Sequence, residues 1–198
     1  LFHLPLAGST FKKIYYDALL ERAVSKFVPA DDLVVPYSAT SLEDAEAIIH
    51  VVKISENDLR KQQVNGFYRD VELTPPEDVE DKVTKKEREL EGTRKAGKTE
   101  NMYTLLECHI NLDIEGFEDM GQDNQPTGIR LPYIVTIDEG SREVLSIKRN
   151  FEQNDPKKQK INYFVHFKFL PGLGFYGFGL IHMIGGLSRT ATSALRQL

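Results

Sequence analysis

The stretch FKFLPGLGFYGFGLIHMIGG, residues 167 to 186, carries the spacing GxGxxG at Gly172, Gly174 and Gly177. In a dinucleotide-binding fold such glycines let a turn approach a pyrophosphate at the start of a helix. That chemistry needs a buried parallel strand before the turn, a second one after the helix, and an acidic residue roughly 20 residues on for the ribose. Here the preceding strand alternates through Asn162, His166 and Lys168, so one of its faces is expected to be wet, and no Asp or Glu follows Asp155. Phe175 and Tyr176 fill the loop where phosphates would need room. The glycines therefore read as a structural hinge. Pro171 ends a strand, Gly172 and Gly174 turn the chain, and Gly177 and Gly179 let a helix start close against the sheet.

The other residues able to do chemistry are scattered. His50, His109 and His166 fall on expected strands without the i, i+4 or CxxC spacing of a metal site, and are expected on solvent-facing sides. The acidic stretch DIEGFEDMGQDNQ has Gly116 too early for a calcium loop and reads as a solvated loop. Ser188, Thr190 and Ser193 have no His and acid at a recognisable spacing. Cys108 is expected on the apolar side of a strand as an inert core residue. No catalytic, cofactor-binding or metal-binding residue is expected, and the chain does not read as an enzyme.

The elements that must position the hinge are legible from periodicity. FKKIYYD and RAVSKFVP read as two strands joined by a turn, VPADDLVVPY as an irregular edge, and AEAIIHVVKI as a strand entered through a turn capped by Thr40 or Ser41. SENDLRKQQVNGF predicts a helix with Ser55 as N-cap and Gly66 near its C-terminus. Residues 75–100 are a charged insert, acids first and bases later, expected as a solvated helix.

After the insert, YTLLECHINLDI alternates. Leu106, Cys108, Ile110, Leu112 and Ile114 share one face, and Glu107, His109, Asn111 and Asp113 share a wet one. LPYIVTID and EVLSIKRN form a hairpin about EGSR, and KINYFVHFKF alternates with Ile161, Tyr163, Val165, Phe167 and Phe169 on one face. These segments, roughly 103–114, 132–138, 143–149 and 161–169, predict a meander of about four antiparallel strands. In the last segment Leu180, Ile184, Leu187, Ala191, Ala194 and Leu198 follow a heptad-like spacing, a packing seam on a helix that needs other helices. Gly185 and Gly186 interrupt it, and the pattern stops at Leu198 without a cap, which reads as a fragment.

Composition narrows the class. The chain has 198 residues, 40% hydrophobic and 28% charged, with a formal net charge of −5, which offers no general attraction to nucleic acid or anionic membrane. All 30 acids precede Lys157, after which Lys157, Lys158, Lys160, Lys168, Arg189 and Arg196 stand without an acid. A segment of that bias is expected to face a different environment from the rest. One cysteine excludes an intrachain disulfide, and no apolar run reaches the roughly 18 residues that span a bilayer. The start LFHLPLAG lacks a basic region and an initiator Met, so the natural chain is expected to begin upstream. A soluble protein, intracellular where it is made, is the expectation.

Two blocks carry a resemblance. GSTFKKIYYDALLERAVSKFVPADDLVVPYSATSLEDAEAIIHVVKISENDLRKQQVNGFYRDV, followed much later by LPGLGFYGFGLIHMIGGLSRTATSALRQL, resembles portal proteins of tailed bacteriophages, particularly of short-tailed phages. The first block is similar in its paired strands, VPADDLVV edge and SLEDA turn, and the second in its LPG-x-x-FYG-x-G passage into a long helix. Together they cover residues 8–71 and 163–198; the insert and the acidic loop match nothing in that pattern.

The resemblance implies a structural subunit of a homo-oligomeric ring, typically dodecameric, at one capsid vertex. Such a ring passes double-stranded DNA without sequence specificity, docks terminase, and later binds tail or head-completion proteins. It implies no cofactor, no membrane, and a place in the virion after synthesis in the host cytoplasm. In these terms residues 1–170 are a β-rich wing-like domain, and 171–198 are the glycine hinge and the start of a helix towards the stem. The expected fold is α+β, an antiparallel β-rich wing domain with a charged helical insert and a C-terminal helix, as a fragment of a larger portal subunit. A different virion or tail component is the alternative, and a nucleotide-binding enzyme using Gly172 to Gly177 the remote one.

Overall fold

The computed structural model describes residues 3–17, 21–75, 86, 102–121, 123 and 125–197. The charged insert expected over 75–100 lies, apart from residues 75 and 86, outside the described residues, as does Leu198. The chain is α+β with antiparallel sheets and divides into two compact units, Leu1–Ile48 with Gln159–Leu198, and Ile49–Lys158.

The first unit is built on a three-stranded sheet in the order β2-β1-β8, where β1 is Ser9–Asp17, β2 is Arg22–Val28 and β8 is Phe164–Lys168. Both neighbours pair antiparallel with β1, so Phe11 stands opposite Val28 on one side and His166 on the other. A short helix α1, His3–Ala7, precedes β1, and a 3-10 turn over Ala30–Asp32 leads into the two-residue β3, Leu33–Val34. One sheet face buries Phe11, Val28 and Phe164 with Leu33, Ala39, Leu42, Ala45, Ile48 and Phe175. The turn at 40–44 is locked by the Asp44 carboxylate, which accepts from the backbone N–H and hydroxyl of both Thr40 and Ser41. These bonds, the Thr40 hydroxyl foremost, hold the Asp44 carboxyl well below the usual carboxylate range.

In the second unit β4 (Ala47–Ile54), β5 (Tyr103–Leu112), β6 (Leu131–Asp138) and β7 (Val144–Arg149) lie in that order. The β6–β7 turn closes on Asp138, whose carboxylate accepts from the Ser141 N–H and hydroxyl, while Arg142 takes φ +59. Helix α2, Glu56–Val64, begins at Ser55, whose hydroxyl accepts from the Asp58 N–H. It buries Leu59 with Leu73, Tyr103, Leu105 and Leu145. A separate cluster gathers Cys108, Leu131, Tyr133 and Val135, with Leu106, Ile110, Leu112 and Phe151 against it.

One expectation of topology is corrected. The meander runs only through β5, β6 and β7; the fourth strand leaves it and pairs with β1 in the other sheet. It is also shorter than 161–169, spanning Phe164–Lys168. A strand pattern names no partner, and the unpaired side of β1 takes it.

Candidate functional site

The glycine crossing begins where β8 ends. Leu170 and Phe178 form an isolated antiparallel bridge, with the Phe178 N–H donating to the Leu170 carbonyl at 2.8 Å and the return bond at 3.3 Å. Inside that loop Phe175 turns into the core and stacks on Phe11, ring centroids 5.8 Å apart. The Tyr176 hydroxyl donates to the Leu33 carbonyl at 3.4 Å, and burial raises its pKa, with Asp31 adding to the effect. Helix α3, Leu180–Gln197, starts directly after Gly179, whose N–H donates to the His182 Nδ1 at 3.1 Å.

The glycines meet a partner that the sequence does not announce. Gly8, between α1 and β1, sits at φ +85, and a side chain there would overlap the backbone of residues 177–179. In return a Cβ on Gly177 would lie 2.7 Å from the Gly8 carbonyl oxygen and 2.8 Å from that of Leu170. Gly179 faces the Leu6 and Gly8 backbone as closely. The strip between two backbones leaves no room for Cβ. Gly172 is hemmed in by the Tyr176 carbonyl at 2.9 Å, whereas a Cβ on Gly174 would meet nothing within 4 Å. Pro171 follows Leu170 at the end of the strand segment. Gly177 and Gly179 are engaged by the residue 6–8 backbone, and β8 pairs antiparallel, not in the parallel sheet of a dinucleotide-binding fold.

Helix α3 presents its seam to solvent. No residue of the helix is buried: Leu180, Ile184 and Leu187 are all exposed, Leu187 by 72%, and Ala191 and Ala194 are exposed as well. Ile181, Met183 and Leu195 widen the apolar side. His182, Arg189 and Arg196 recur every seven residues, which places them together on the opposite side of a helix with 3.6 residues per turn. Two of its hydroxyls bond within the helix, that of Thr190 donating to the Gly186 carbonyl and that of Thr192 to the Ser188 carbonyl. No helix among the described residues is long and apolar enough to cross a membrane.

The outer face of the three-stranded sheet is likewise largely apolar and partly exposed, with His3 of α1 against Phe27, ring centroids 5.8 Å apart, and Thr10 buried. Ile14 and Tyr16 of β1, Phe27 of β2, and Val165 and Phe167 of β8 are exposed, with Lys12 paired between Phe27 and Val165. The face expected to be wet on β8 is the buried one: Phe164 is core, and the His166 ring lies 4.3 Å from Phe11 and 4.8 Å from Phe175.

The histidine expectation is overturned. His50 is 4% exposed and His109 3%, and His166 is half-buried. His109 Nε2 lies 2.7 Å from the Glu107 carboxylate, on a side of β5 read as wet. That side also carries Thr136 of β6, opposite Glu107, and is covered by Tyr68 from the chain after α2. Burial pushes the Tyr68 hydroxyl up to about 12, with the Glu107 charge adding to it. Lys148, over the Phe67 ring, is lowered by burial. Sequence reasoning missed this cluster because polar residues on alternate positions ordinarily mark solvent. The signal available was the run Phe67-Tyr68 just past Gly66, an aromatic pair with no strand of its own.

Cys108 is buried as expected, with its thiol pushed up by burial and secondarily by Glu107. The acidic loop is more fixed than a solvated reading implies: Lys158 pairs with Asp119, whose carboxylate also accepts from the Thr127 hydroxyl at 2.8 Å. Among the described residues no group of three or more His, Cys, Asp or Glu could hold a metal ion. Comparison with known proteins finds no family model that matches the chain and no curated protein that matches it.

Proposed function

We propose that this chain is part of a structural subunit of a phage portal ring, which forms the DNA channel at the capsid vertex during packaging and ejection. The observation that carries the reading is α3, an 18-residue amphipathic helix with no buried residue in its own chain. An apolar stripe of that length is stabilised by packing, and helices of this length are marginal alone. Neighbouring helices of a ring would cover the seam and leave His182, Arg189 and Arg196 on the far side.

The crossing supports the same reading. Gly8, Gly177 and Gly179 fix the root of the helix against β1 without side chains between, so the helix leaves the β-rich unit from a defined point. The resemblance of residues 8–71 and 163–198 to portal proteins supplies the assembly: a homo-oligomeric ring, terminase and tail proteins as partners, and the virion as the site of action.

Electron microscopy of the gene product that contains this chain tests the proposal. A closed ring with a central channel wide enough for a DNA duplex is the expected outcome. A virion or tail assembly without such a channel would favour the alternative structural role, and a monomer at micromolar concentration would overturn both.

A further inference from the structure

His166 sits where β8, β1 and the glycine crossing meet. The Gly177 N–H donates to the Ser9 hydroxyl oxygen at 2.8 Å, and that hydroxyl lies 3.1 Å from the His166 Nε2. Ser9 is 2% exposed. With one lone pair of Ser9 engaged by Gly177, its proton has His166 Nε2 to go to, and a neutral imidazole accepts there. In the Nδ1–H tautomer of the neutral ring the chain runs from the crossing through Ser9 to an unprotonated Nε2.

We infer that His166 is a proton-sensitive latch: neutral, it holds the crossing 170–179 and the root of α3 on the sheet, and protonated, it releases them. An imidazolium has two N–H donors and no acceptor. Ser9, itself 2% exposed, would then accept from both His166 and Gly177, and its own proton would lose His166 as acceptor. The added charge would lie beside the Phe11 and Phe175 rings, which contact each other and hold the crossing in the core.

Among the charged and titratable neighbours, Lys168 favours the neutral ring. On β8 itself stands Lys168, whose Nζ is 6.0 Å from the Phe175 centroid. On the same side of β1 are Lys13 and Tyr15, and Asp17 at the far end, about 20 Å along the strand from Phe11. The crossing offers Tyr176, close to Asp31, and α3 offers His182, whose Nδ1 accepts from Gly179. Burial, and then the Lys168 charge, lower the His166 pKa from 6.5 to about 4. A group whose folded pKa is depressed in this way favours the closed state fully above about 6.5. That advantage falls as the pH drops towards 4, where the closed form also takes up the proton.

Hydrogen exchange on the full chain at pH 7.5 and pH 4.5, corrected for intrinsic rates, tests the latch. Protection of amides 170–183 should fall at least about tenfold relative to those of β5 and β6, the effect of one pKa unit. His166→Phe, which keeps an aromatic ring against Phe11 and Phe175 but binds no proton, should show no such relative fall. A wild-type ratio unchanged at pH 4.5, or a fall of equal size in His166→Phe, overturns the proposal. Should that variant not fold, the wild type still decides by nuclear magnetic resonance. The Gly177 amide must titrate with the midpoint of the His166 ring, and separate midpoints overturn the latch.

Discussion

Strands β5 and β8 carry the same kind of message and are covered differently, one on both sides and the other on one. Each alternates apolar and polar residues, the pattern of a strand with one wet side. On β5 both sides are covered: Cys108 packs in one cluster, Leu105 in another, and the polar side hides His109 against Glu107. On β8 the side bearing His166 is inside, and Val165 and Phe167 face out. Alternation reports that a strand has two faces. Which face is covered depends on what the rest of the chain lays over it: α2 and Tyr68 in one case, Phe11 and Phe175 in the other.

The sharpest break of that comparison is at Phe164. It is buried on the inner side of β8, where truncation leaves a cavity between Phe11 and the residues of the 39–48 segment. Phe164→Ala is expected to cost about 3–5 kcal/mol in urea unfolding. A cost below about 1 kcal/mol would mean that the inner face is not the one that stabilises the unit.

The polar side of β5 makes a pH prediction. Tyr68 titrates near 12 in the folded chain and near 10 when unfolded, first because it is buried and then because Glu107 is close. Above pH 10 the unfolded chain loses the proton that the folded chain keeps, so stability falls with rising pH. The contribution is complete below about pH 10 and lost between 10 and 12, about 3 kcal/mol in all. Tyr68→Phe should flatten that part of the profile, as judged by unfolding midpoints at pH 9, 10 and 11. In the same cluster Glu107→Gln should shrink the Tyr68 shift and leave it above 10, since burial is the larger cause. An unshifted Tyr68 titration in wild type would show that the cluster is open to water.

The contrast also marks what was legible. Strands β1, β2, β5, β6 and β7 follow from local alternation, and α2 from Ser55 placed three residues before Asp58, where its hydroxyl caps the helix. These are short-range effects, so the chain states them locally. The exchange of β8 into the β1 sheet is a pairing across about 150 residues, and nothing local encodes it. The glycines at 172–179 were visible as a motif, but Gly8, which gives Gly177 and Gly179 their reason, stands alone in the sequence. The burial of His50, His109 and His166 was hidden for the same cause. A polar residue reads as exposed until its partner is known, and Glu107 and Ser9 were not readable as partners.

The smallest expected effect lies on the outer face of β8. Val165 and Phe167 are 40% and 38% exposed, so truncating either leaves a gap that solvent can reach. What they contribute within the sheet is cross-strand contact, Val165 with Lys12 and Phe167 with Thr10, which is worth about 0.2–1 kcal/mol per pair. Threonine is β-branched, as Val165 is, and suits a strand at either position. Val165→Thr and Phe167→Thr should therefore each change the unfolding free energy by about 1 kcal/mol or less in dilute solution, well under the cost of Phe164→Ala on the same strand. If either costs as much as Phe164→Ala at high dilution, the outer face is covered by the chain itself, and the difference between the two strands disappears.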